Sequence, residues 1–291
     1  MSEATTVVTV VHGRHEHLRQ QRRALQTFSP TTWHVIVAMG DPAIDEVVAG
    51  ADRTTVLHVD VGPAGLPLAG ARNVGVEAAL AHGAELVILL DVDCVPGRLL
   101  VTGYEEASIQ APDSLLAGPV TYLDEGVDVP PDLNLLAALR SPHDARPDPP
   151  AGTIRRGGDH NLFWSLSCAM TPETWRELGG FHEDYVGYGA EDTDYGWSAR
   201  ARGVDLVWVG GADAFHQFHP VSQPPVEHVT DIVRNARLFH GRWGHWPMQG
   251  WLDDFARQGL VRFESGSLHL LRPPAPVPVP AVSMQPRSDV L

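Results

Sequence analysis

The feature that most restricts the fold is an alternation running through the first 120 residues. Short β-branched, apolar runs alternate with longer segments of helical spacing. Residues 5–11 (TTVVTVV), 33–39 (WHVIVAM), 54–59, 85–90 (ELVILL) and 114–120 read as strands. Residues 15–28, 42–49, 67–82 and 97–110 read as helices, with Gly83 capping the third. Apolar runs without polar alternation belong to strands covered on both faces. Strand, helix and strand in succession imply βαβ units, hence an α/β fold with a mostly parallel sheet flanked by helices. A length of 291 residues suits one large domain of this kind or two small ones.

The pattern breaks over 122–158. This stretch holds Pro-Pro pairs at 130 and 149, several aspartates and one short apolar segment, 133–139. It predicts a long, partly mobile excursion of the kind that serves function. Order returns at 161–170. A helix over 172–178 stops at Gly179-Gly180, and a helix over 191–202 closes at Gly203. Strands are predicted at 205–209 and 214–218, then helices at 226–243 and 246–258. The segment 273–291 (PPAPVPVPAV at its start) is proline-rich and expected to be extended or disordered.

Charge and missing motifs exclude several functions. The formal net charge is −15, and all 21 basic residues are arginine. Without a basic run, neither nucleic acid nor an anionic membrane surface is an expected partner. Absence of lysine rules out GxxxxGK[ST], and the segment after the first strand, HGRHEH, lacks GxGxxG. GxSxG is absent as well. No apolar stretch approaches a membrane-spanning length, and Met1-Ser2-Glu3 does not open a secretory signal. Cys94 and Cys168 form no CxxC pattern and are expected to be buried free thiols. A cytoplasmic protein without an integral membrane segment is the expectation.

Four local features carry chemistry. Asp91-Val92-Asp93 directly follows the run ELVILL, at the carboxyl end of a strand, where open α/β sheets bind ligands. Such a pair can share a hard divalent cation with a diphosphate, although any DxD also suits a polar turn. Gly187-Tyr188-Gly189-Ala190-Glu191-Asp192-Thr193-Asp194 crowds carboxylates at a helix start. These either compensate the helix dipole or form an acid/base site. Phe215-His216-Gln217-Phe218-His219-Pro220 offers two imidazoles that can complete a cation site begun by Asp93. Ala71-Arg72-Asn73-Val74-Gly75 places Arg72 to meet a phosphate, to hold Asp91 or to make a surface ion pair.

The pieces ARNVG, LLDVDCVP, GGFHEDYVGYGAEDTDYGWSARARG and AFHQFHP occur in an order that resembles the GT-A glycosyltransferases. The chain is most similar to family 2 enzymes with a β-1,4-galactosyltransferase-type C-terminal segment, over about residues 7–260. The resemblance implies a GT-A, Rossmann-like nucleotide-diphospho-sugar transferase fold. Its donor half would be 1–120, and its acceptor-binding and catalytic half 121–272 of the same domain. It implies a nucleotide-sugar donor, UDP-sugar first, and a divalent cation, Mn2+ or Mg2+. Asp93 would be the direct metal ligand, joined by His216 or, second, His219. The implied donor-binding set is His12, Arg14, Asp41, Arg72, Asn73, Asp91, Val92 and Asp93, with Asp41 a candidate to hold the uracil. Asp192 would be the base and Glu191 would orient the acceptor or donor sugar. Tyr188, where such enzymes commonly carry tryptophan, and Gly189 would face the acceptor. The implied reaction is a single displacement with inversion onto a carbohydrate, lipid-linked or small-molecule acceptor. The rival readings are a sugar nucleotidyltransferase and a catalytically inactive sugar-nucleotide-binding protein.

Overall fold

The computed structural model describes residues 4–272, and the proline-rich 273–291 lie outside them. The strands are β1 Thr5–Val11, β2 Trp33–Met39, β3 Thr54–Val59, β4 Leu86–Leu90, β5 Cys94–Pro96, β6 Ser114–Ala117, β7 Val120–Tyr122, β8 Ile154–Arg156, β9 Ser167–Met170, β10 Asp205–Val209, β11 Ala214–His216, β12 Val261–Glu264 and β13 Ser267–Leu270. The helices are α1 His15–Phe28, α2 Ile44–Val47, α3 Leu68–Ala81, α4 Leu100–Gln110, α5 Pro172–Leu178, α6 Glu191–Arg202, α7 Val229–Trp243 and α8 Gln249–Arg257. An eight-stranded sheet has the order β3-β2-β1-β4-β9-β6-β10-β8. Only β9, between β4 and β6, and β8, at the edge beside β10, run against the common direction. The sheet is therefore mostly parallel, as the alternation predicts. Insertion of β9 also means that residues from both halves of the chain build one sheet.

Burial follows strand position. All seven residues of β1 and all five of β4 are buried, whereas the edge strand β3 is largely half-exposed. Helix α1 turns Leu18, Gln21, Ala24 and Leu25 inward, and α3 turns in Ala69, Ala71, Val76 and Ala79 together with Arg72. Each fully buried leucine or valine contributes roughly 1.5–3 kcal/mol. Such a face fixes the helix on the sheet more firmly than helix propensity could.

The structure departs from the sequence expectations at several places, among them the unforeseen strand β5 and the β12–β13 hairpin. The helix expected over 42–49 contracts to the single turn of α2. The strand expected over 114–120 splits into β6, in the large sheet, and β7, in a three-stranded sheet of order β5-β11-β7. The break falls at Gly118-Pro119. A Cβ on Gly118 would lie 2.2 Å from the Ala212 carbonyl oxygen, and Pro119 has no N–H for a ladder. The 122–158 excursion is also more structured than expected. Its apolar segment forms a 3-10 helix, Leu133–Leu139, which buries Leu133 and Leu136 against Ala24, Val95 and Phe215. Its later part supplies β8.

Candidate active site

The small sheet assembles the first part of the site. The chain leaves β4 at Leu90, passes Asp91-Val92-Asp93 and enters β5. Strand β11 pairs antiparallel with β5, setting His216 opposite Cys94, and Gln217 N–H donates to the Asp93 carbonyl at 2.7 Å. This register brings both histidines to one carboxylate. His216 Nε2 lies 3.5 Å from Asp93 Oδ1, and His219 Nε2 lies 3.5 Å from Asp93 Oδ2. One ligand atom from each of the three residues falls within 4.8 Å of the others. The sequence leaves a choice between His216 and His219; the structure gathers both. A carboxylate with two imidazoles is a donor set that fits a divalent first-row metal ion. Burial, and next the nearby Arg14, lowers the His219 pKa and favours the neutral, ligating imidazole. Arg14 itself sits with Nη1 3.5 Å from Asp93 Oδ2.

Arg72 assembles the second part. It is buried, with Nη2 3.1 Å from Asp91 Oδ1 and Nη1 3.1 Å from Glu191 Oε1. Its guanidinium also lies over the Phe181 ring. Of the roles open to it from sequence, holding Asp91 is the one the geometry shows, and at 4% exposure it is not a surface ion pair. One cation thus joins the DxD segment to the start of α6. The second Glu191 oxygen, Oε2, is buried and has no hydrogen-bond partner among the described residues. Asp192 is half-buried and, among the described residues, takes hydrogen bonds only from its neighbour, Thr193 N–H at 2.7 Å and its hydroxyl at 3.4 Å. Burial, and then the adjoining Glu191, pushes its pKa up to about 7, against the pull of Arg72. The third acid, Asp194, is buried and accepts from Tyr185, Arg242 and Trp243. The partners of the three acids differ: Asp194 is held by three side chains, Glu191 by Arg72 through one oxygen, and Asp192 by Thr193 among the described residues.

A turn precedes α6. Gly187 has φ +70, and a Cβ there would meet Asp231 Oδ2 at 2.2 Å, so glycine is required. Helix α7 holds this turn. Buried Asn235 donates through Nδ2 to the carbonyls of Val186, Tyr188 and Gly189 at 3.1, 3.2 and 2.9 Å. Arg234 donates to the Val186 carbonyl too, and Asp231 accepts from Tyr188 N–H. Sequence reading misses this set. Its only trace is a polar i, i+3, i+4 group (Asp231, Arg234, Asn235) on an otherwise amphipathic helix. Asn235→Leu is expected to lower stability by roughly 1–3 kcal/mol, because the carbonyls lose a buried donor. Urea unfolding with an unchanged midpoint would contradict this. The Tyr188 ring stacks on His228 at 4.5 Å and 12°, beside Trp251. Burial and the nearby Asp192, Glu191 and Asp93 push its pKa up to about 12, so its hydroxyl stays protonated.

The residues expected on the nucleotide side divide differently. His12 Nδ1 pairs with the Met39 carbonyl at 2.7 Å. Asp41 Oδ2 accepts from Gly13 N–H and His15 Nε2, both at 2.8 Å. Burial opposes ionisation of Asp41, but these hydrogen bonds prevail and hold its pKa low. His12 and Asp41 therefore tie the loops after β1 and β2 together. The Val92 side chain is buried with Val11, Leu18, Ile36 and Ile44, so it packs into the core between the two acids. Asn73 clamps the loop after α5, donating to the Phe181 carbonyl and Glu183 and accepting from Phe181 N–H.

No family model matches the chain. It is similar to the chondroitin synthase of Pasteurella multocida (strain Pm70), 27% identical over 191 residues, which is 57% of this chain and 19% of that protein. It is also similar to the validoxylamine A glucosyltransferase of Streptomyces hygroscopicus subsp. limoneus, 26% identical over 213 residues, or 63% of this chain and 44% of that protein. The chain thus spans less than half the length of either relative. Among solved structures it resembles that of GalNAc-T7 with UDP, GalNAc and Mn2+. The TM-score is 0.53 with 15% identity, over 78% of this chain and 47% of that one. That likeness concerns the fold, which is the GT-A arrangement of a mostly parallel sheet flanked by helices.

Proposed function

We propose that this chain catalyses inverting, metal-dependent glycosyl transfer from a nucleoside-diphosphate sugar, UDP-sugar first, to an acceptor hydroxyl. The observation that carries the reading is one constellation. Asp91 and Glu191 share buried Arg72, beside the Asp93–His216–His219 group and half-buried Asp192. The named relatives and the UDP- and Mn2+-bound structural neighbour support it. So do the matches of Asp91 and Asp93 to a DxD motif and of residues 179–220 to a β-1,4-galactosyltransferase-type segment.

Asp93, His216 and His219 would hold Mn2+ (or Mg2+), which when bound neutralises charge building on the leaving diphosphate. Arg14, next to Asp93, adds positive charge to the same place. Asp91, fixed by Arg72, faces the donor sugar or ribose. Asp192 takes the acceptor proton as the oxygen attacks the anomeric carbon from the opposite face. The free Oε2 of Glu191 receives a sugar hydroxyl. Tyr188, backed by His228, and Gly189 form the acceptor side. In this reading residues 1–120 serve the donor and 121–272 the acceptor and catalysis, within one domain. The acceptor is a carbohydrate, a lipid-linked molecule or a small molecule. No helix among the described residues is long and apolar enough to cross a membrane. A cytoplasmic site of action is part of the proposal, supported by the two buried free thiols.

The test is Asp93→Ala. With ligand at 100 times Kd, UDP plus Mn2+ is expected to stabilise the unaltered chain by about 2.7 kcal/mol, and the variant not at all. Equal thermal shifts in both proteins would remove the metal assignment.

A further inference from the structure

The 122–158 excursion carries a charged group that the proposed chemistry does not use. Arg146 is 5% exposed, yet Nε, Nη1 and Nη2 all lack a hydrogen-bond partner among the described residues. Its guanidinium lies 5.0 Å from the ring centres of both Trp164 and Trp208. These faces attract the cation but satisfy none of its five N–H donors. The titratable groups that sense it most are Tyr104, Tyr122, Cys168 and Cys94, all neutral near pH 7. No carboxylate figures among them, and burial holds the guanidinium below its usual basicity. Elsewhere in this chain a buried arginine finds acids: Arg72 has two.

The position of Arg146 is as telling as its lack of partners. From His216 a row of rings leads to it. His216 meets Tyr122 at 4.7 Å, Tyr122 meets His143 at 6.0 Å, and His143 meets Trp164 edge-on at 5.1 Å. Cys94 and Tyr122 sense both Asp93 and Arg146. On the other side, Asp91 N–H donates to the carbonyl of Leu166, two residues beyond Trp164. Arg146 is therefore linked to the Asp91–Asp93 end of the site through Tyr122, His143 and Trp164. Trp164 is half-buried and His143 exposed.

We propose that Arg146, between Trp164 and Trp208, is an oxyanion subsite that receives a carboxylate or phosphate carried by a substrate of the neighbouring site. A planar guanidinium with its full fork of donors free matches such a group in two-point fashion. Access requires the Trp164 side chain to turn outward. The anion is then held in a poorly hydrated place, where a neutral sugar of the same size gains nothing. The subsite rests on the donor reading above and narrows it: either the transferred sugar or the acceptor bears an acidic group.

The two sources are separated by paired probes, measured by titration calorimetry with Mn2+. UDP-glucuronate is compared with UDP-glucose for the donor, and glucuronate with glucose, added to the UDP-bound chain, for the acceptor. At least a tenfold preference for the acidic member is expected in one pair. Arg146→Met should abolish it, and Arg146→Lys should weaken it without reversing it. The ratio of Kd values is the readout, so a general loss of UDP affinity cancels. If the unaltered chain treats both pairs alike, the subsite is wrong whether or not the variants fold. It is equally wrong if Arg146→Met keeps the preference, in which case Arg146 is a packing residue. Absence of any Mn2+-dependent UDP binding would instead remove the donor reading, and the subsite with it.

Discussion

Asp192→Asn is expected to lower the rate of transfer about 10²–10⁴-fold, the contribution of a positioned base, while UDP still binds in the presence of Mn2+. The asparagine keeps the shape and can still accept from Thr193 N–H, but it cannot take a proton. A pKa near 7 suits a general base, because the group is ionised for a large fraction of the time and still basic enough to gain a proton. kcat/KM should rise with pH and level off above about 7 in the unaltered chain, because only the carboxylate form is active. The stability effect has the opposite sign. A carboxyl whose folded pKa exceeds its unfolded value of 3.8 stabilises the fold below that value and loses its contribution as pH rises to about 7. Asp192→Asn should therefore match or exceed the unaltered chain in thermal stability above pH 7 while being nearly inactive. Product formation followed by mass, with melting recorded from pH 5 to about 8, checks both. Near-unaltered transfer by the variant would show that another group is the base.

Much of this arrangement can be read from the sequence, and what cannot has physical reasons. Buried strands announce themselves by runs such as TTVVTVV and LVILL, because both faces of β1 and β4 are covered. The DxD segment and the acids at the start of α6 are visible as local strings. The roles of Asp192 and Glu191 come from the resemblance and not from the local strings, which do not tell which cation reaches which acid. Arg72 comes from α3, Arg242 and Trp243 from α7, and nothing in local spacing encodes those meetings. The loop contacts of His12, Asn73 and Asp41 are equally absent from local spacing, since each side chain meets a backbone group of a segment distant in sequence. Arg146 is invisible for a further reason: in a proline- and aspartate-rich stretch, an arginine reads as solvent-facing. In the fold its guanidinium lies over two tryptophan rings, Trp164 and Trp208, that are distant in sequence.

Arg72→Met is expected to have the largest effect on the fold of any substitution considered. Removing one partner of a buried ion pair costs about 3–5 kcal/mol, since the charge left behind is unpaired. Here two carboxylates are orphaned, Glu191 in a buried position and Asp91 in a partly exposed one. The partial exposure of Asp91 lets water compensate, so the cost should fall toward the lower end of that range. Methionine retains much of the packing against Phe181, which makes the loss mainly electrostatic. One signature separates this from simple cavity formation. Arg72→Met combined with Glu191→Gln should be less destabilised than the sum of the single variants, because the double variant leaves one orphaned charge fewer. Urea unfolding of the four proteins supplies the reading. Strict additivity would show that Arg72 acts by its bulk, and the link it makes between the DxD segment and α6 would then not be what positions Asp91.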